Sequence, residues 1–156
     1  MTKLLIRQYQ PSDKKEVFDL HVRALKNEDA YLYTGKWEKD FEDIEGIYLN
    51  NRGEFIVGLI DNTIIAMGGL RKKTDDIVEL RRMRVDPALQ RKGYGQILLD
   101  VLEKRAKELG YMIIELDTSI RQVSAQRFYE KNGYKVIRRE KEGWIVECIF
   151  YQKELT

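Results

Sequence analysis

The chain has 156 residues, which is one domain (1–156) with no room for a second; 43% of them are hydrophobic and 35% charged, excluding a disordered chain and a disulfide-stapled miniprotein. Its 28 Lys and Arg against 26 Asp and Glu leave a net charge of +2, so the domain-wide basicity of a nucleic-acid binder is missing. One cysteine, Cys148, and one histidine, His21, exclude an intramolecular disulfide and a protein-built zinc site. No apolar run reaches the length of about 18 residues that a membrane span needs, and no signal segment is visible, so a cytoplasmic protein away from membranes is expected.

Leu4 to Tyr9 reads as a first strand, and Pro11-Ser12-Asp13 opens a helix to about Leu25, with Ser12 or Asp13 as N-cap. Trp37, Phe41, Ile44 and Tyr48 recur at helical spacing, which predicts a second helix ending at Asn50-Asn51-Arg52-Gly53. Phe55 to Ile60 and Thr63 to Leu70 are strands joined by a tight Asp61-Asn62 turn, and Ile77 to Val85 is a third, closed by Asp86-Pro87. Ile97, Leu98, Val101, Leu102, Ala106 and Leu109 trace a long amphipathic helix ended by Gly110. Tyr111 to Leu116 reads as a strand covered on both faces, and Ser124 to Asn132 as a short helix. A last hairpin pairs Lys135–Arg139 with Trp144–Tyr151 about Glu142-Gly143.

Between Val78 and Val85 the apolar parity changes: Val78 and Leu80 share one face, Met83 and Val85 the other. Two readings are open, a β-bulge near Arg81-Arg82 or a central strand buried on both faces. A bulge would leave backbone N–H groups without a strand partner and able to bind something else.

After that strand comes Gln90-Arg91-Lys92-Gly93-Tyr94-Gly95, running straight into the long helix. Glycines at a helix start let the backbone approach a ligand, and the first-turn N–H groups with the helix dipole attract phosphate, as do Arg91 and Lys92. A dinucleotide fingerprint would need a small residue where Leu98 stands, although Asp117 supplies an acid of the right kind; a P-loop would need Ser or Thr after Gly-Lys. Neither pattern is met.

The strand, Asp-Pro and Gln-Arg-Lys-Gly-Tyr-Gly followed by a helix resembles the Q/R-x-x-G-x-G/A signature of the GNAT superfamily of acyl-coenzyme A N-acetyltransferases. Ser124-Ala-Gln-Arg-Phe-Tyr-Glu-Lys-Asn-Gly-Tyr134 resembles that family's second hallmark, a helix with a tyrosine shortly before Gly-aromatic. The resemblance implies a mixed α/β fold with a central, mostly antiparallel twisted sheet of about seven strands and helices on both faces. It implies acetyl-coenzyme A as co-substrate, with Met83, Arg84 and Val85 contacting its pantetheine arm and Gln90, Arg91, Lys92, Gly93, Tyr94 and Gly95 its pyrophosphate. Gln122 stands where members often carry an asparagine that holds the pantetheine. Tyr129 falls where many keep a tyrosine near the thioester sulfur, and Glu79 where some place a general base.

Acetyl transfer to an amine needs a neutral amine and a proton for the leaving thiolate. Tyr129 suits the second task, since a phenol of pKa about 10 can protonate a thiolate of pKa about 8.5. Glu79 is either the base or a structural carboxylate paired with Arg81, Arg82 or Arg84. Cys148 shares strand parity with Val146 and Phe150 and reads as core, as His21 reads as an ordinary helix residue.

The expected reaction is direct attack by a primary amine of a small molecule or peptide in a ternary complex. The partners are acetyl-coenzyme A and that acceptor, with neither nucleic acid nor membrane, and a homodimer is compatible with this. The alternative is a catalytically silent acyl-coenzyme A sensor or partner-binding module. Glu28, Asp29, Glu38, Asp40, Glu42, Asp43 and Glu45 against Lys36 and Lys39 suggest an acceptor carrying extra positive charge, unless these acids are only the solvated face of the second helix.

Overall fold

Asp61 and Asn62 both adopt left-handed backbone, at φ 49° and 65°, and this tight turn folds β2 (Glu54–Ile60) onto β3 (Thr63–Lys72) as a hairpin. The computed structural model describes residues 3–27, 36–141 and 146–156. Its other strands are β1 (Leu5–Gln8), β4 (Ile77–Val85), β5 (Ile113–Ser119), β6 (Lys135–Glu140) and β7 (Cys148–Glu154), joined in one sheet of order β1-β2-β3-β4-β5-β7-β6. Every pairing is antiparallel except β4 with β5. The long helices are α1 (Lys14–Asn27), α2 (Tyr94–Glu108) and α3 (Val123–Lys131).

Two apolar layers enclose the sheet. On one face, Leu98, Leu99, Leu102 and Ala106 of α2 pack on Val78 and Leu80 of β4 and Ile114 and Leu116 of β5, together with Tyr129 and Tyr134. The three α2 leucines are 0% exposed, and full burial of such a side chain stabilises by about 1.5–3 kcal/mol. On the other face, Val17 and Leu20 of α1 meet Phe41, Ile44, Tyr48, Phe55, Val57 and Met67.

The second helix expected around Phe41 to Tyr48 takes a different form: a 3-10 segment, Lys36–Glu42, interrupted at Glu38 (φ −122°), followed by a π-helical turn, Glu45–Leu49. Asp43 accepts a hydrogen bond from the Gly46 N–H, while Glu38 and Asp40 are drawn inward onto His21 and Arg82. Those polar anchors break a regular helix, although Phe41, Ile44 and Tyr48 remain buried as the spacing required. Strand β5 differs as well. Glu115 and Asp117 make one of its faces polar, so the strand is not apolar on both sides. The turn at Glu142-Gly143, Trp144, the side chain of Trp37, Glu28 and Asp29 lie outside the described residues.

Candidate active site

Strand β4 carries the bulge. Arg81 pairs with Gly69 and Arg84 with Met67, so β4 has one residue more than β3 in this interval, and Arg82 takes up the excess at φ 59°. The slip reverses which amides face which neighbour. Ile77 accepts from Lys73 N–H and Asp86 donates to Ile65 O, both on the β3 side; alternation through the bulge therefore turns the backbone groups of Met83 and Val85 toward β5.

Among the described residues no strand meets them there. Strands β4 and β5 pair only over Ile77–Glu79 and Ile113–Glu115, then part, and a cleft of about 980 Å³ opens between them. The glycine turn borders the same cleft, with Arg91 at φ 64° and Gly93 at φ 85°. The first helical bond of α2 runs from Ile97 N–H to Gly93 O, and among the described residues no side chain caps the helix, so its leading N–H groups have no partner within the helix. A Cβ built on Gly93 would meet nothing within 4 Å, and one on Gly95 only Val85 and Phe128 at 3.7 and 3.9 Å. The turn thus combines open space with uncapped donors, which suits an anionic diphosphate, and the Met83 and Val85 amides suit an extended arm carrying amide groups.

Met83, Arg84, Val85, Gln90, Arg91, Gly93, Tyr94, Gly95, Gln122 and Tyr129 all line the cleft. Lys92 and Glu79 do not. Lys92 is exposed outside it, and Glu79 accepts from Nε and Nη2 of Arg71 at 3.1 and 2.9 Å, a partner on β3 that strand spacing alone did not single out. Gln122 accepts at Oε1 from the Thr118 hydroxyl at 2.9 Å and the Ser119 N–H at 3.3 Å, which fixes it at the start of α3. Tyr129 is buried among Phe128 and Tyr134, ring centroids 5.2 and 5.6 Å away, and among the described residues its hydroxyl has no hydrogen-bond partner. Burial raises its pKa and keeps the phenol protonated.

Three residues of the cleft gain a role that the sequence did not assign. Asp117 on β5 lines the cleft and is open to it, while the surrounding protein mass pushes its carboxyl above the ordinary range against the pull of Arg81. Asp40 receives both Nε and Nη2 of Arg82, at 2.9 and 2.6 Å, and the Tyr48 hydroxyl at 2.6 Å. Burial alone would raise its pKa; the Arg82 hydrogen bonds and charge, with Tyr48, outweigh that and hold it at about 2. The third is Arg81. The signal for Asp117 and Arg81 was present in the alternation of β4 and β5, since Leu80 and Leu116 are core and their neighbours must face the other way.

His21 and Glu38 form a buried pair beside this network, Nε2 to Oε2 at 2.5 Å. Burial, then the charges of Arg84 and Arg82, depress the His21 pKa to about 2 and keep the imidazole neutral. Cys148 lines the cleft from β7, and burial pushes its thiol up to about 11, so it remains a packing residue rather than a thiolate nucleophile.

A bulged strand parting from its parallel neighbour beside a glycine-led helix start defines a class of acyl-group transfer folds. The family model for the acetyltransferase (GNAT) family matches residues 14–134, and the chain belongs to that family. A GNAT-family acetyltransferase structure from Staphylococcus aureus Mu50 is similar over 99% of this chain and 100% of its own, with 29% identity and a TM-score of 0.90. An N-acetyltransferase from Thermoplasma acidophilum, solved in complex with coenzyme A, shares the fold over 97% of this chain and 99% of its own, at 20% identity and a TM-score of 0.78. The aminoalkylphosphonate N-acetyltransferase of Salmonella typhimurium is 29% identical over 132 residues, 83% of this chain and 84% of that protein. The matches to three other curated relatives span 64%, 36% and 61% of those proteins' own length. No helix among the described residues is long and apolar enough to cross a membrane.

Proposed function

We propose that the protein transfers an acetyl group from acetyl-coenzyme A to a primary amine of a small molecule or peptide, by direct attack in a ternary complex. One observation carries this reading: Met83 and Val85 of the bulged strand, the uncapped start of α2 and Tyr129 all line one cleft between β4 and β5. Gly93 to Gly95 and Arg91 would hold the pyrophosphate, and the bulged strand the pantetheine arm. These contacts aim the thioester carbonyl at the space between the two strands.

Asp117 takes the proton of the incoming ammonium. It is open to the cleft and ion-pairs with no described residue, whereas Glu79 does not line the cleft and is held by Arg71, which does. A raised carboxyl pKa brings it closer to the amine it must deprotonate. Tyr129, buried and protonated, gives its proton to the departing thiolate. Release of coenzyme A thiol on mixing with acetyl-coenzyme A and a panel of amines tests the reading. An aminoalkylphosphonate, the acceptor in the Salmonella relative's name, belongs in that panel.

A further inference from the structure

Glu79 lies opposite Glu115 in the β4–β5 register, so Arg81 and Asp117 stand two residues further on, just past the point where the ladder ends. Leu80 and Leu116 are buried against α2 and α3, which turns both Arg81 and Asp117 to the opposite face of the sheet. Their neighbours are all committed. Glu79 is held by Arg71, Glu115 by Lys73 and Gln152, and Arg82 by Asp40. Among the described residues, the side chains of Arg81 and Asp117 have no hydrogen-bond or ion-pair partner, and they do not pair with each other. They are close enough for the guanidinium to influence the carboxyl, and both line the cleft.

Arg81 is not accounted for by the phosphates of the co-substrate. Strand β4 runs from Arg81 through the bulge to Val85 before it reaches the glycine turn, where Arg91 already sits. Nor does the acidic segment before β2 offset it. Glu38 is buried on His21, Asp40 is taken by Arg82 and Tyr48, and Glu42 and Asp43 are exposed away from the lining. An acceptor with added positive charge would therefore meet cations rather than acids. Resting on the acetyl-transfer reading above, we infer that the acceptor is an amine that also carries an anionic group, a carboxylate or phosphonate, which Arg81 binds while Asp117 receives the amine. A guanidinium and a carboxylate held apart in one cleft are each satisfied by the two ends of a single zwitterion.

The test compares amines of one chain length with different tails: 4-aminobutanoate, 3-aminopropylphosphonate, 3-aminopropanol and 1,3-diaminopropane. For each, kcat/KM is measured for the wild type, Arg81→Gln and Arg81→Glu, and binding to the coenzyme A-saturated protein by calorimetry. Both variants are checked for an unchanged melting temperature. The wild type is expected to prefer one or both anionic tails over aminopropanol by about 10- to 100-fold, the strength of a hydrogen bond to a charged group. That ratio should fall toward one in Arg81→Gln and favour diaminopropane in Arg81→Glu. Which anionic tail leads tells carboxylate from phosphonate recognition. Preference for diaminopropane or aminopropanol in the wild type, or an anionic preference that survives in Arg81→Glu, overturns the inference while acetyl transfer stands. Anionic amines that bind in an Arg81-dependent way without being acetylated support the anion site and remove acetyl transfer to them. Absence of both binding and turnover for every anionic tail overturns it.

Discussion

Asp40 grips Arg82 with both carboxylate oxygens, and Arg82 is the one residue of β4 with left-handed backbone, φ 59°. The pair ties the segment before β2 to the bulge, and the guanidinium also lies over the Phe41 ring with Cζ 4.9 Å from its centroid. The bulge in turn sets which amides reach the cleft. The segment before β2 and the amides that border the cleft are therefore joined through one ion pair.

Asp40→Asn should cost about 3 kcal/mol at neutral pH, because it takes the carboxylate away from a largely buried guanidinium. The folded-state pKa of about 2 lies below the ordinary 3.8, so the carboxylate's contribution is complete above about pH 4 and disappears as pH falls toward 2. Urea unfolding of both proteins across that window should show the gap closing as acid is added. Equal stabilities at pH 7 would contradict the role given to the pair.

Gly95→Ala separates the needs of the ligand from those of the fold. The added methyl makes only ordinary contacts with Val85 and Phe128, and alanine is favoured over glycine in a helix by about 1 kcal/mol. The variant should fold at least as stably as the wild type yet bind coenzyme A several-fold more weakly, because the methyl occupies the cleft wall where the backbone must be approached. Calorimetric titration gives the answer, and unchanged affinity would move the pyrophosphate site elsewhere.

Asp117→Asn and Glu79→Gln divide the two candidate bases. The rate should rise with pH through a value above that of an ordinary carboxyl, since the base acts deprotonated and its enclosure raises its pKa. In Asp117→Asn that limb is expected to vanish with a fall in kcat of about 10²-fold or more. Glu79→Gln should keep the limb, as its carboxylate serves Arg71. A limb lost in Glu79→Gln and kept in Asp117→Asn would return the role to Glu79.

Tyr129→Phe removes a hydroxyl that has no partner among the described residues, so the fold should lose little. Its effect should fall on kcat, by about 10²-fold, with KM for acetyl-coenzyme A near the wild-type value, because the proton is given only as the thiolate leaves. A rise in KM with kcat intact would make the tyrosine a binding group.

Much of this was readable in the sequence, for reasons that are local. The parity change between Leu80 and Met83 offered the bulge as one of two readings, and Gly93 and Gly95 marked the turn, because both features are dictated by a few adjacent residues. What was not readable depends on distant partners. Glu79 meets Arg71 across β3, and Asp40 meets Arg82 from 42 residues away, pairings that no spacing rule supplies. Phe41, Ile44 and Tyr48 kept their burial while the helix they implied broke into a 3-10 segment and a π turn, since Glu38 and Asp40 found stronger polar anchors than a helix surface offers. Asp117 was weighed only as a ribose ligand, a role that fell with the dinucleotide pattern. Its place in the cleft follows from where β4 and β5 part.

Acetyl transfer itself is tested most directly by following coenzyme A thiol release from acetyl-coenzyme A while the added amine is varied, with the acetylated amine quantified by mass spectrometry. The account predicts release that depends on the amine, with one acetylated amine formed per thiol. Tight binding of acetyl-coenzyme A with no amine-dependent release across carboxylate-, phosphonate-, hydroxyl- and amine-tailed acceptors and peptides would contradict it, and would make the cleft that of a silent acyl-coenzyme A sensor.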